Sequence, residues 1–268
     1  MKSFIKIIKM GLAAVLVLSL AACGASGNVE KMQEASTEEV SKADTICFGT
    51  NAEFPPFEYT SENGIIEGFD GIDIAIAKHI AEDNGKTLSI SNIDFNLLLK
   101  SLQNDNVDAV IAGMTITDER KELVDFSEPY YTATQVMIVK EDSDIQKAAD
   151  MKGKNIVVIQ GYTGEKCVQD LGFSYAAYKK GSETIPELMN GNCDVIVIDS
   201  VTAQKFVDDN KGIKIVEDSD AFETEEYVIA VKKGNKELLD KINASISKMK
   251  EEGTISEISQ QYMDVEVP

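Results

Sequence analysis

Val107-Asp108-Ala109-Val110-Ile111-Ala112-Gly113-Met114-Thr115-Ile116-Thr117-Asp118-Glu119-Arg120 reads as a buried strand that gives way to a helix. Val107 to Ile111 is apolar except for Asp108, and Thr117 followed by Asp118 and Glu119 is a capped helix start. Ala112 and Gly113 place little side chain at the turn, which leaves the backbone open to close approach by a ligand. Arg120, about one turn into the helix, offers a planar fork of donors that matches a carboxylate in two bonds. The chemistry suggested is capture of a small carboxylate, although an arginine so placed is also what a solvated helix surface carries.

The preceding unit recurs farther along the chain. Leu99, Leu102, Asn104, Asn106, Asp108, Val110 and Ile111 have counterparts in Ile185, Leu188, Asn190, Asn192, Asp194, Ile196 and Val197, a constant offset of 86. Each copy reads as a helix, a polar turn and a nearly continuous apolar strand, the pattern of a parallel sheet covered on both faces. The offset is too long for a solenoid, so the copies belong to two similar α/β lobes. Gly113 then corresponds to Asp199, which falls at the C-terminal end of its own strand, the edge where open α/β sheets bind ligands. Arg120 on one lobe and Asp199 on the other are a cation and an anion, the complement of a zwitterion.

The N-terminus is read as an export signal. Lys2, Lys6 and Lys9 precede an apolar run from Gly11 to Leu20, followed by Leu20-Ala21-Ala22-Cys23. The run is short for a bilayer span. Its ending resembles a bacterial lipobox, in which the cysteine is lipidated, palmitate included, and becomes the first mature residue. Residues 24 to 43 have the composition of a flexible tether. The expected division is therefore a signal peptide (1–22), a lipidated Cys23 with its tether (23–43), a first lobe (44–134) completed by 227–268, and a second lobe (135–226).

Composition agrees with an exported binding domain. The formal charge is −20, and removing residues 1–22 removes three lysines and no acid. A chain this acidic has no electrostatic footprint for nucleic acid. Cys47, Cys167 and Cys193 remain besides Cys23, and they read as small buried apolar residues, with a Cys167–Cys193 pairing left open. The single histidine, His79, has no cysteine or acid cluster around it and predicts no metal site. Hydrolase elbows, phosphate loops and zinc-protease helices are missing, so neither an enzyme nor a cofactor is expected.

The residues predict a strand over 45–50, a rigid turn over Asn51 to Phe57 around the paired prolines, and a hairpin turn at Asn63-Gly64. Helices are expected from Ile72 to Asn84 and from Asn96 to Gln103. A strand from Asn155 to Gln160 leads through Gly161-Tyr162-Thr163-Gly164 to a helix from Glu165, with Thr163 as its cap and free amides forming a second anion site. Gln135–Lys140 and Glu226–Lys232 are expected to cross between lobes, and helices from Lys236 return to the first lobe. Phe126, Tyr130 and Tyr131 read as lobe packing.

Several stretches, in order, resemble the polar amino-acid-binding proteins of bacterial ABC transporters, the extracellular solute-binding proteins of family 3. They are Gly49-Thr50-Asn51, Phe54-Pro55-Pro56-Phe57-Glu58, Gly68-Phe69-Asp70, Ala112 to Arg120, Asp125-Phe126-Ser127-Glu128-Pro129-Tyr130, and Asp194 to Asp199. The resemblance covers 46–263 and implies an α/β, two-lobed periplasmic-binding-protein fold of type II, with a two-stranded hinge and the ligand between lobes. It implies that Arg120 clamps the ligand carboxylate, helped by Thr115, Thr163 and Gly164, while Asp199 and the backbone around Ala112, Gly113 and Met114 hold the ammonium. Phe54 and Phe95 would flank the ligand side chain, approached by Asn51 and Gln160. Many relatives carry aspartate where Asn51 stands, so Glu53 is considered as a substitute.

The expected role is capture of a polar or basic L-amino acid and its delivery to the permease and ATPase subunits of an importer. The protein would be a monomer held by its lipid anchor on the extracellular face of the cell membrane. The alternatives are a small-carboxylate dehydratase on the same fold and an amino-acid sensor module.

Overall fold

The computed structural model describes residues 44–66 and 68–263, so the expected signal peptide, lipidated Cys23 and tether, together with residues 264–268, lie outside the described residues. The described chain begins with β1 (Thr45–Thr50), β2 (Glu53–Phe54), β3 (Glu58–Thr60), β4 (Phe69–Asp70), α1 (Ile72–Asp83) and β5 (Thr87–Asn92). It continues through α2 (Leu98–Gln103), β6 (Ala109–Val110), α3 (Asp118–Leu123), β7 (Val124–Phe126) and the long β8 (Tyr131–Lys140). Next come β9 (Ile156–Ile159), α4 (Thr163–Asp170), β10 (Tyr175–Tyr178), α5 (Gly181–Asn190), β11 (Val195–Asp199), α6 (Ser200–Asp209) and β12 (Ile213–Val216). The described chain ends with β13 (Thr224–Tyr227), β14 (Ala230–Lys232), α7 (Lys236–Glu252) and α8 (Thr254–Met263).

Two sheets follow the same plan. In the first, of order β5-β1-β6-β14-β7, β1 is parallel to β5 and β6. In the second, of order β10-β9-β11-β8-β12, β9 is parallel to β10 and β11. Each parallel trio is flanked by an antiparallel strand, β14 beside β6 and β8 beside β11. The internal repeat accounts for this correspondence. Asp108 accepts the Cys47 N–H at 2.8 Å, and its counterpart Asp194 accepts the Asn155 N–H at 2.7 Å, so each aspartate clips its strand to the neighbouring one. The turn also repeats: Asp105 at φ 59 matches Gly191 at φ 75. All residues of β9 and β11 are buried, as strands covered on both faces require.

Helices α4 and α5 pack on the second sheet, α4 through Val168 against Val158, Val195 and Val197, and α5 through Ile185 and Leu188 on the cluster containing Ile196 and Ile198. In the first sheet Leu98 and Leu102 of α2 share a cluster with Val107 and Val110, while α1, α7 and α8 bury Ile76, Ile80, Ile246 and Ile258. The tyrosines Tyr130 and Tyr131 pack with the larger cluster.

The structure corrects several sequence expectations. The strand expected over Val107–Ile111 is regular only at Ala109–Val110, and the one over Asn155–Gln160 only at Ile156–Ile159. The helix expected from Asn96 begins as a 3-10 turn, Phe95–Leu97, and becomes α-helical at Leu98. The Asn63-Gly64 hairpin is a longer connection, closed by Ser61 N–H to Gly68 O at 3.0 Å. Gln135–Lys140 is not a crossing segment, because it lies inside the second sheet between β11 and β12. The crossing pair is Tyr131–Thr134 with Thr224–Tyr227, antiparallel, after which β14 joins the first sheet. No disulfide joins Cys167 and Cys193; burial pushes both thiols up to about 11.

Candidate functional site

The first wall of the cleft is the turn between β6 and α3. Gly113 sits at φ 52, and a Cβ there would meet the Phe54 ring at 2.7 Å, so the position requires glycine. Its N–H is donated to Asp73 at 2.8 Å, and Tyr130 donates its hydroxyl to the same carboxylate. Burial raises Asp73 to about 6 and holds the adjoining Glu58 carboxyl well above the usual range. Thr117 caps α3 as expected, its hydroxyl accepting the Arg120 N–H at 3.2 Å. That cap aims Arg120 back along the turn, where Nη1 donates to Thr115 O at 2.8 Å and Oγ1 at 2.9 Å. The guanidinium carbon lies 5.3 Å from the centre of the Phe95 ring. Burial lowers Arg120 to about 10, opposed by Glu225 and Glu119, so it stays charged at neutral pH.

The second wall is the C-terminal edge of the second sheet. Asp199 ends β11 and caps α6, Oδ1 accepting the Val201 N–H at 2.9 Å and Oδ2 the Tyr227 hydroxyl. It is 2 % exposed, and burial raises it to about 7 against the pull of those two hydrogen bonds. Gln135 lies opposite Asp199 in the β8–β11 register. Its Nε2 donates to Thr163 Oγ1 at 3.2 Å, and Thr163 donates to Glu225 at 2.7 Å. Burial raises Glu225, with Thr163, Gln135 and Arg120 holding it down.

Phe54, Phe95, Gly113, Thr115, Arg120, Thr163 and Asp199, all singled out from sequence, line one cavity, joined by Gln135, Tyr162 and Tyr227, which were not. The space left among them is about 10 Å³, the scale of one water. Ala112 and Met114 send their side chains into the α2 cluster instead. Gly164 backs onto Gln135 and Val197, and Gln160 is exposed at the strand end, its N–H donated to Tyr178 O. Asn51 holds Ile93 O and accepts the Tyr162 hydroxyl at 3.2 Å. Glu53 pairs with Lys180 at 2.5 Å.

Thr163 is not the helix cap. The cap is Tyr162, without a side-chain bond, and Thr163 opens α4 with its hydroxyl turned to Glu225, a charged acceptor. The loop N–H of Gly161 goes instead to Glu165 at 2.6 Å.

Residues 46–265 match the family model described as bacterial extracellular solute-binding proteins, family 3. The chain belongs to this family. Among its relatives is the arginine-binding extracellular protein ArtP of Bacillus subtilis (strain 168), 32 % identical over 93 % of this chain and 94 % of that one. Another is the ABC transporter glutamine-binding protein GlnH of the same organism, 32 % identical over 98 % of each chain. A solved ancestral arginine-binding protein bound to glutamine is 41 % identical, with a TM-score of 0.75 over 82 % of this chain and 97 % of that one. This solute-binding protein has the two-lobed periplasmic-binding-protein fold of type II.

Proposed function

We propose that this solute-binding protein captures a polar or basic L-amino acid between its lobes and presents it to an ABC importer from a lipid anchor at Cys23, outside the cell membrane. The observation that carries the reading is that Arg120 from the first wall and Asp199 from the second line the same small cavity. Arg120 would take the ligand carboxylate and Asp199, with the Gly113 turn, the ammonium; Thr115 and Thr163 complete the polar wall, and Phe54 and Phe95 supply flat faces for the side chain. Relatives named for arginine and glutamine support the ligand class. The importer's permease and ATPase subunits are the partners, and the receptor acts as a monomer without cofactor.

Lobe one would comprise 44–134 and 227–268, lobe two 135–226, with the paired segments Tyr131–Thr134 and Thr224–Tyr227 as hinge. Full contact with one amino acid needs both lobes, so binding selects the closed form; a shift from 1:99 to 99:1 takes about 5.5 kcal/mol of differential affinity. A few charge-assisted bonds of about 1.5–3 kcal/mol each suffice.

A thermal-shift screen of the twenty amino acids on refolded, ligand-stripped protein identifies the cargo, a ligand at a hundred times its Kd adding about 2.7 kcal/mol. Calorimetry on Arg120→Ala then tests the site. Loss of a desolvated charge partner costs about 2–5 kcal/mol, so affinity for every amino acid falls more than tenfold; unchanged affinity refutes the assignment.

A further inference from the structure

Tyr162 stands where two aromatic residues of the other lobe would receive a ligand side chain. Its ring lies 4.5 Å from that of Phe95 and 5.3 Å, edge to face, from that of Phe54. Its hydroxyl donates to Asn51 at 3.2 Å. The residue before it completes the pattern, because Gly161 O accepts from Arg120 Nη2 at 2.9 Å. With Nη1 committed twice to Thr115, the fork that matches a carboxylate is already engaged by a backbone carbonyl. A carbonyl on the arginine and a ring in the aromatic slot reproduce the two ends of an amino acid.

We propose that Gly161 and Tyr162 form an internal occupant of the cleft, which an incoming amino acid must displace. The inference rests on the amino-acid reading above. Two ion pairs at the rim, Glu53–Lys180 at 2.5 Å and Asp94–Lys179 at 3.3 Å, join the same two lobes around it. Tyr162 also lines a second space of about 200 Å³ on the side of Thr117, Glu119 and Lys166. The occupant has three consequences. It shifts the unliganded lobes towards closure, and it reduces the fraction of molecules competent to bind, which lowers apparent affinity in proportion. It also screens cargo, since only a ligand whose own contacts exceed those of the loop can enter.

The test compares wild type, Tyr162→Ala and Tyr162→Phe, each unfolded and refolded to strip ligand. Without ligand, small-angle scattering should give Tyr162→Ala a larger radius of gyration than wild type, with Tyr162→Phe, which keeps the ring, near wild type. In calorimetry with L-arginine and L-glutamine as probes, Tyr162→Ala should bind at least one of them about tenfold tighter, a change of 1.4 kcal/mol. An unchanged radius, or weaker binding by Tyr162→Ala, overturns the proposal and makes the ring a wall of the ligand site. An increased radius with no binding of any of the twenty amino acids by any of the three proteins refutes instead the reading on which displacement depends.

Discussion

Replacing Asp199 by asparagine separates the ionic role of this side chain from its role as a cap. In the ligand-free protein burial raises the carboxyl from 3.8 to about 7, so folding favours its neutral form. A raised carboxyl pKa means that stability is present in full at low pH and declines as pH rises from about 4 to about 7, as the folded state is forced to ionise a buried acid. At 1.36 kcal/mol per pH unit, the ceiling on that loss is about 4 kcal/mol. Asparagine keeps an oxygen for the Val201 N–H, and the Tyr227 hydroxyl can turn to accept from the amide, so the geometric cost is small. Urea unfolding of stripped protein should therefore find Asp199→Asn more stable than wild type by about 2–4 kcal/mol at pH 8 and nearly equal at pH 4.5. Binding should move the opposite way. The ligand ammonium needs the carboxylate, so wild-type affinity falls up to tenfold per unit as pH drops below about 7, and the variant binds all amino acids poorly at every pH. Equal stability of the two proteins at pH 8, or a wild-type affinity flat from pH 5.5 to 8, would refute this account of Asp199.

Gly113→Ala forces a left-handed residue to carry a Cβ, costing about 1–2 kcal/mol, and pushes the Phe54 ring aside, so melting temperature and affinity should fall together. Asp194→Ala removes the clip on the Asn155 N–H far from the cleft; denaturant unfolding should show a loss of about 1–2 kcal/mol while affinity stays within twofold. Lys180→Ala breaks a half-exposed rim pair worth about 0.2–1 kcal/mol, so calorimetry should show less than a fivefold change, reduced further at high salt. If Glu53→Ala instead cost more than tenfold for basic ligands alone, Glu53 would be reading the side chain.

The elements that local chemistry specifies were legible: the Thr117 cap, the glycine beside the ligand edge, and the repeat that pairs Asp108 with Asp194. What the residues lacked was information about which partner a group prefers. Thr163 reads as a cap until Glu225, sixty-two positions away, offers its hydroxyl a charged acceptor. Gln135 and Tyr227 look like ordinary strand residues; only the register that puts Gln135 against Asp199, and the crossing that brings the Tyr227 hydroxyl there, make them part of the cleft. Tyr162 carried no signal, because a tight loop is read for its backbone.

The order of strands has a consequence for how the chain assembles. All strands of the second sheet, β13 included, lie between Tyr131 and Tyr227, whereas the first sheet waits for β14, which enters between β6 and β7 only after the whole second lobe has been made. Closing a disordered loop of roughly 100 residues between β7 and β14 would cost on the order of 4 kcal/mol of chain entropy. The antiparallel pairing of Tyr131 with Tyr227 brings the two ends of that loop together as soon as the inserted lobe is formed. The second lobe thus serves as a folded linker, and the N-terminal half of the protein remains an incomplete sheet with an open β6 edge until its last forty residues arrive.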